Sequence, residues 1–442
     1  MNKRNVYAIT VAVLVVATGF VGVVSPAVGT ASEQQIDSCT TITEPGVYEL
    51  GSDISDTSSS PDACIVVQSD DVVVDGNGHS MTLTEDGDGY ETPYAVQATG
   101  VDNLTVSDLT TVDWGAAHAL AGRSVDVANA SDVTVTGLTV DSGWAGVVAK
   151  NSTGVTVSDA NLTGTGVSQN AAGSASGIRF ENVRNAEVSD SDLQSWESGV
   201  RVSRSSNVTV AGSTLGGTGD WAGRDLGAQM GRAIYVDSST DVTVRDNDVT
   251  VAFNGVILRG RTTGTVVAGN TLSVNKYGVN VGTVGEQGDA NVVRNNTMRR
   301  DEEGVYVVST ASQLDVVDND ISNNTDGVHV EASRTCGPGP EGGELVDVHG
   351  NTIAGNGVGL RNQGRNVVNA TRNYWGADDG PASVDDADAP FQDPVTGELA
   401  DGAGDRVTES TDANESGVSN VHFDPWLQMA PSESTTQNES TA

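Results

Sequence analysis

The chain has 442 residues, with 60 acidic against 22 basic side chains, a formal net charge of −38 and only 4% aromatic residues. Such an excess of carboxylate argues against nucleic acid as a partner, because phosphate binding needs a basic footprint. It suits a halophile-type solvated surface, since at ~1 M salt the Debye length is about 3 Å and self-repulsion is screened.

Residues 1–31 read as an export signal or an N-terminal membrane tether. Lys3 and Arg4 precede the apolar run VYAITVAVLVVATGFVGVV, and SPAVGTAS offers small residues for cleavage. Export permits a disulfide, for which Cys39 and Cys64 are the candidates, leaving Cys336 as a loop thiol. Residues 32–84 read as opening coils and a cap, 85–376 as stacked coils, 377–427 as a C-terminal loop and closing cap. Residues 428–442 read as a disordered polar tail.

The coils announce themselves by repetition. DVTVRDNDVTVAFNGVIL, TVVAGNTLSVNKYGVNV, NVVRNNTMRRDEEGVYV, LDVVDNDISNNTDGVHV and LVDVHGNTIAGNGVGL share an Asn, a polar turn and a Gly-Val or Gly-Leu step. The Asn column runs Asn247, Asn270, Asn296, Asn319, Asn351 and Asn373, at spacings of 23, 26, 23, 32 and 22 residues. Apolar residues alternate with polar ones over three or four positions, so the strands are short, and one coil cannot bury its own apolar face. Stacked Asn side chains can hydrogen-bond along the axis at the ~4.8 Å strand spacing. The pattern predicts an all-β fold, a single parallel β-helix of about twelve coils.

These coils resemble the right-handed parallel β-helix repeat proteins, the superfamily of pectate lyases and polygalacturonases. GVYELGSDISD and DDVVVDGNGHSM resemble the first coils of exported archaeal members, and NYWGADDGP with VHFDPWL resembles their closing signature. The resemblance covers roughly residues 38 to 427. It implies the right-handed fold and a carbohydrate-binding or sugar-cleaving role, although this fold hosts many functions. Trp375 and Trp426 then read as end-cap packing residues.

In G-V-x-V the two apolar residues face inward, so x faces out. The x column holds Arg179, Arg201, Tyr235, Ile257, Asn280, Tyr306, His329 and Arg361. Before the glycines come Trp144, Trp196, Phe253 and Tyr277, with Trp221 in an inserted loop. Aromatic faces stack on sugars and arginine pairs with uronate carboxylates, so Arg179, Arg201, Tyr235, Arg361, Trp144, Trp196, Tyr277 and Trp221 are candidate substrate-binding residues. Glu303 and Asp326 precede the glycines of adjacent coils and form a candidate carboxylate pair, with one pKa raised by crowding and with His329 and Tyr306 assisting. Asn324-Thr325-Asp326 matches the Asn-Thr-Asp of polygalacturonases, but their Asp-Asp, Gly-His-Gly and Arg-x-Lys motifs are missing, as is the Asp-Pro-His of alginate epimerases.

Lyase chemistry would call on calcium held by clustered Asp, so calcium is a candidate cofactor and no other is expected. Copper-maturation β-helix proteins of denitrifiers are relatives by fold. The five histidines, His79, His118, His329, His349 and His422, show no ligand-like spacing, so no dedicated transition-metal site is expected. The reading is an extracellular or cell-surface monomer that binds or processes a polysaccharide, as a hydrolase or lyase on acidic sugars. Its rival is a non-catalytic structural or adhesive rod.

Overall fold

The computed structural model describes residues 33–431 apart from 57–62, 84–92, 115–121, 165–174, 218–229, 283–288, 309–312, 332–345, 365, 385–386 and 411–415. The leader, His118, Trp221 and Cys336 fall outside the described residues.

Alternating segments become short strands with one face inward. In Thr240–Arg245, Val242 and Val244 are wholly buried while Thr243 between them looks outward. Each coil strand pairs in parallel with the strand three further along the chain, so each coil supplies one strand to each of three sheets. Sheet 1 has 15 strands from Gln34–Ile36 to Val421–His422, and sheet 2 has 15 from Thr40–Ile42 to Ala382–Ser383. Sheet 3 has 12, between Ile54–Asp56 and Thr352–Ala354. The fold is a single right-handed parallel β-helix. Its interior is one continuous column of Val, Leu and Ile from all three sheets.

The corners explain the repeat. Sheet 1 turns into sheet 3 through two residues, the first left-handed and the second pointing inward. Asp108, Asp159, Asp190, Asp246 and Asp318 take the first place with φ between 47° and 56°, a region Asp, Asn and Gly enter most readily. The Asn column takes the second place and is buried. Each Nδ2 donates to the Oδ1 of the next coil's Asn at 2.9–3.0 Å, from Asn247 through to Asn373. The backbone N–H of each donates to the same oxygen. No side-chain amide of this column is left without a partner, and that satisfaction is what makes an interior polar column tolerable.

Sheet 3 turns into sheet 2 through a corner of the same kind. Ser195, Val251, Val274, Arg300 and Asn323 are left-handed there, and the residue after each points inward. That inward place belongs to Trp196, Ala252, Asn275, Asp301 and Asn324. Trp196 is therefore core: it is 0% exposed, and its indole N–H donates to the Leu162 carbonyl at 3.0 Å. It does not wall a groove, contrary to its expected place among the substrate-binding aromatics. Trp196 is the corner residue that follows left-handed Ser195, the place Asn275 takes in its own coil, whereas Tyr277 is two residues further on and opens the strand on the outer face. Asn324 is likewise structural: its Oδ1 accepts the Asp301 N–H at 2.9 Å, and its own N–H donates to Asn356 Oδ1 at 2.9 Å.

A disulfide joins Cys39 to Cys64 at the start of sheet 2. At the other end Trp375 is fully buried beneath Gly359, and Trp426 packs partly buried against the core. Asp393 fastens the closing segment, accepting from the backbone N–H groups of Phe423 at 2.7 Å and Asp424 at 3.0 Å and from His422 Nδ1.

Candidate functional site

The outer face of sheet 2 carries the x column as one register ladder. Arg179 pairs with Arg201, then Tyr235, Ile257, Asn280, Tyr306, His329 and Arg361 follow on successive rungs. A second column, three residues earlier in each strand, runs Ser176, Ser198, Arg232, Asn254, Tyr277, Glu303, Asp326 and Val358. Glu303 and Asp326 are thus register partners, as are Tyr306 and His329 beside them.

Four ionisable groups meet at that point. Arg361 holds Asp326 bidentately, Nε at 2.6 Å from Oδ2 and Nη2 at 3.0 Å from Oδ1. His329 Nδ1 lies 3.1 Å from Glu303 Oε2 and 4.0 Å from Asp326 Oδ2. Each carboxylate thus has a cationic or cation-forming partner of its own, Arg361 for Asp326 and His329 for Glu303. Burial works to lower the His329 pKa, but the Glu303 carboxylate, then Gln363 and Asp326, carry it above its ordinary value. Glu303 Oε2 and both His329 ring nitrogens are buried without an aligned hydrogen bond. Three unspent polar atoms at one place are unusual in a folded interior.

An aromatic strip leads to this cluster. Phe253, 44% exposed, meets Tyr277 edge-on with centroids 5.7 Å apart. Tyr277 stacks on Tyr306 at 4.6 Å and 24°, and Tyr306 meets His329 edge-on at 5.4 Å. Lys276 Nζ sits over both Phe253 and Tyr277, 5.0 and 5.1 Å from their centroids. Tyr306 donates its hydroxyl to Glu331 Oε2. Burial and that carboxylate push the Tyr306 pKa well above the usual phenol range, so the group stays protonated.

The other candidates lie toward the N-terminal end. Arg179 and Arg201 sit on adjacent rungs, and Arg201 stands over the Tyr235 ring at 5.3 Å. Arg361 is six rungs from Arg201 and is engaged by Asp326, so the three arginines do not form one group. Trp144 is half-buried at the turn before its strand. Lys276, Gln363 and Glu331 were missing from the sequence reading. The last two stand two residues beyond x in G-V-x-V-z, a spacing that returns them to the outer face.

No curated protein matches this chain. Among solved structures, the A-module of the mannuronan C-5 epimerase AlgE4 of Azotobacter vinelandii is similar, at 16% identity, 72% of this chain, 89% of that one and a TM-score of 0.51. The Dettilon tailspike protein follows with 11% identity, 68% and 61% coverage and a TM-score of 0.53. A mutant tailspike of E. coli bacteriophage HK620, in complex with a pentasaccharide, gives 13% identity, 74% and 62% coverage and a TM-score of 0.51. At these identities the likeness is one of fold. The family model described as periplasmic copper-binding protein (NosD) matches residues 101–281 and again 227–377, more than half of the chain. The β-helix with its outward ladder is therefore that of a member of the NosD family.

Proposed function

We propose that the protein is exported, binds an acidic polysaccharide along the outer face of sheet 2, and processes it at Glu303, Tyr306, Asp326 and His329. The observation that carries this reading is the buried Glu303–His329 pair, Oε2 3.1 Å from Nδ1 without an aligned hydrogen bond, at the end of an aromatic strip. Aromatic faces hold sugar rings, and here the strip of them ends at an acid and a histidine. Export is supported by the leader-like residues 1–31, by the periplasmic description of the family and by the basic-poor composition. The similar AlgE4 module is named for a polysaccharide and the HK620 tailspike is in complex with a pentasaccharide, which adds support for glycan binding.

The chemistry that suits the geometry is β-elimination from a uronate. Glu303 Oε2 takes the proton α to the sugar carboxylate, the electron pair forms the ring double bond, and the bond to the leaving oxygen breaks. His329, protonated more readily than an ordinary histidine, returns a proton to that oxygen. Tyr306, kept as a phenol, packs and hydrogen-bonds the sugar. Arg361 and Asp326 set the local charge. Hydrolysis by Glu303 and Asp326 fits less well, because Arg361 occupies both oxygens of Asp326.

Copper, named in the family's description, meets no fitting donor set among the described residues. No three His, Cys, Asp or Glu side chains converge there as a metal site, and Cys39 and Cys64 are joined as a disulfide. No acidic group for calcium converges among the described residues either. No step is assigned to a metal.

The test is product release from acidic and neutral polysaccharides in molar salt, following reducing ends together with the ultraviolet absorbance of unsaturated sugars. Wild type should generate absorbance from acidic substrates only, and Glu303→Gln and Asp326→Asn should each lose about 10²-fold or more. Reducing ends without absorbance would move the reading to hydrolysis. No release from any substrate would leave the adhesive rod.

A further inference from the structure

The outer face of sheet 2 has a second charged cluster that this chemistry does not use. Arg179 Nη2 donates to Glu181 Oε2 at 2.9 Å, and the other oxygen of Glu181 accepts from Arg204. One carboxylate is thus shared by two guanidinium groups. Arg201 donates Nε to Ser203 Oγ at 3.2 Å and stands over the Tyr235 ring, but no carboxylate among the described residues pairs with it. Arg232 lies against the same ring at 5.2 Å, its carboxylate partner Glu197 at a loose 3.4 Å. Arg179 Nε is buried with no acceptor at all. Burial and then the charge of Arg201 lower the Arg179 pKa, as expected of a cation whose neighbour is another cation.

The placement is as telling as the charge. In a chain of net charge −38 carboxylates are abundant, yet among the described residues none pairs with Arg201, and Arg179 shares its one carboxylate, Glu181, with Arg204. Beside Arg179 and Arg201 the earlier column holds Ser176 and Ser198, small and buried, so that column sets no bulky side chain against the guanidinium groups. From Arg201 to Tyr306 is four rungs on the same ladder, or about 19 Å at the strand spacing.

We infer that Arg179 and Arg201 form a distal subsite for a carboxylate of the same glycan. The ligand is then a uronate polymer lying parallel to the helix axis and long enough to reach both clusters. This rests on the polysaccharide reading above and adds the charge, direction and minimum length of the substrate. A planar guanidinium with a free Nε–H offers the paired donors that a carboxylate takes. The long-range field of the protein repels such a polymer, while the contact at the half-buried arginines attracts it. Salt screens the first more than the second, so added salt strengthens binding until the repulsion is screened.

The experiment is calorimetric titration with galacturonate and mannuronate oligomers, each as a trimer and an octamer, beside carboxyl-reduced octamers as neutral controls. Arg179→Gln/Arg201→Gln is compared with wild type, with Glu303→Gln and with Arg204→Gln, an exposed arginine that the subsite does not need. Wild type should bind an acidic octamer about tenfold or more tighter than the trimer, a factor that one charge-assisted pair can supply. The double variant should reduce the octamer to trimer affinity and leave the trimer unchanged, with a thermal melt confirming its fold. An octamer no tighter than its trimer, a reduced octamer as tight as the acidic one, or an octamer indifferent to the double variant would each overturn the inference. In all three cases trimer binding and turnover would keep the processing site. Octamer binding lost in the double variant but kept in Glu303→Gln, without turnover in any form, would keep the subsite and remove the processing. No heat with any oligomer overturns both.

Discussion

The inner Asn column and the outer x column are built on the same coils at the same spacing, yet they follow opposite rules. Inside, from Asn247 to Asn373, every rung carries the same residue, and each side chain satisfies its neighbour. Outside, from Arg179 to Arg361, the residue changes at almost every rung, and several polar atoms are left unsatisfied. Repetition on one side of the backbone supports the coil. Departure from repetition on the other side leaves groups available to a ligand.

Breaking the inner column should have the largest effect. Asn296→Ala removes the acceptor of the Asn270 N–H and Nδ2 and the donor to the Val267 carbonyl, all buried. With about 1–3 kcal/mol for each stranded group and partial relief by water, a loss of roughly 3 kcal/mol is expected. Denaturant unfolding would read it, and a variant within ~0.5 kcal/mol of wild type would show that the column is ornamental.

A smaller effect sharpens the comparison from within. Asp301 occupies the second corner's inward column between Asn275 and Asn324, but it offers a carboxyl where its neighbours offer amides. Its Oδ1 accepts the Asn275 N–H at 2.7 Å, while Oδ2 is buried and unpartnered. Burial raises its pKa well above the usual carboxylate range. With the folded pKa above the unfolded one, the protonated acid is stabilising at low pH, and that stability is lost as pH rises through the folded value. Asn275 and Asn324 donate Nδ2 to the Val249 and Met298 carbonyls, and Asp301→Asn should add the same bond. The variant should gain about 1–2 kcal/mol at neutral pH, and thermal melts should show the gain shrinking on acidification. A gain independent of pH would mean that Asp301 does not titrate in the fold.

The outer column should respond least in stability. His329 has a folded pKa above its ordinary value, so its contribution is fully present below the unfolded pKa and fades as pH rises through the folded one. His329→Gln should cost under ~1 kcal/mol, most of it on the acid side of neutrality, as melts across pH would show. A large loss at alkaline pH would place His329 with the scaffold rather than with the site.

Much of this arrangement is legible along the chain. The G-V-x step identifies Tyr306, His329 and Arg361 as outward because an inward residue lies on either side of x, Val for the first two and Leu360 and Asn362 for the third, and the alternation leaves it no other face. Trp196 is not distinguishable from Tyr277 along the chain because their turns have the same length, and no local signal marks which turn residue looks inward. The clasp of Arg361 on Asp326 is not legible along the chain: its residues are 35 apart, and only the stacking of coils brings them to adjacent rungs.

The sequence by itself determined the coil, its corners and its inner columns, because these depend on period-two alternation and on left-handed Asp, Asn and Gly, which are properties of a few neighbouring residues. Only the tertiary structure decided which charges neutralise one another, with Asp326 clasped, Glu303 set against His329, and Arg201 left without a carboxylate among the described residues. Stacking makes neighbours of side chains 22 to 35 residues apart, and electrostatic pairing depends on that distance in space, which no local pattern encodes.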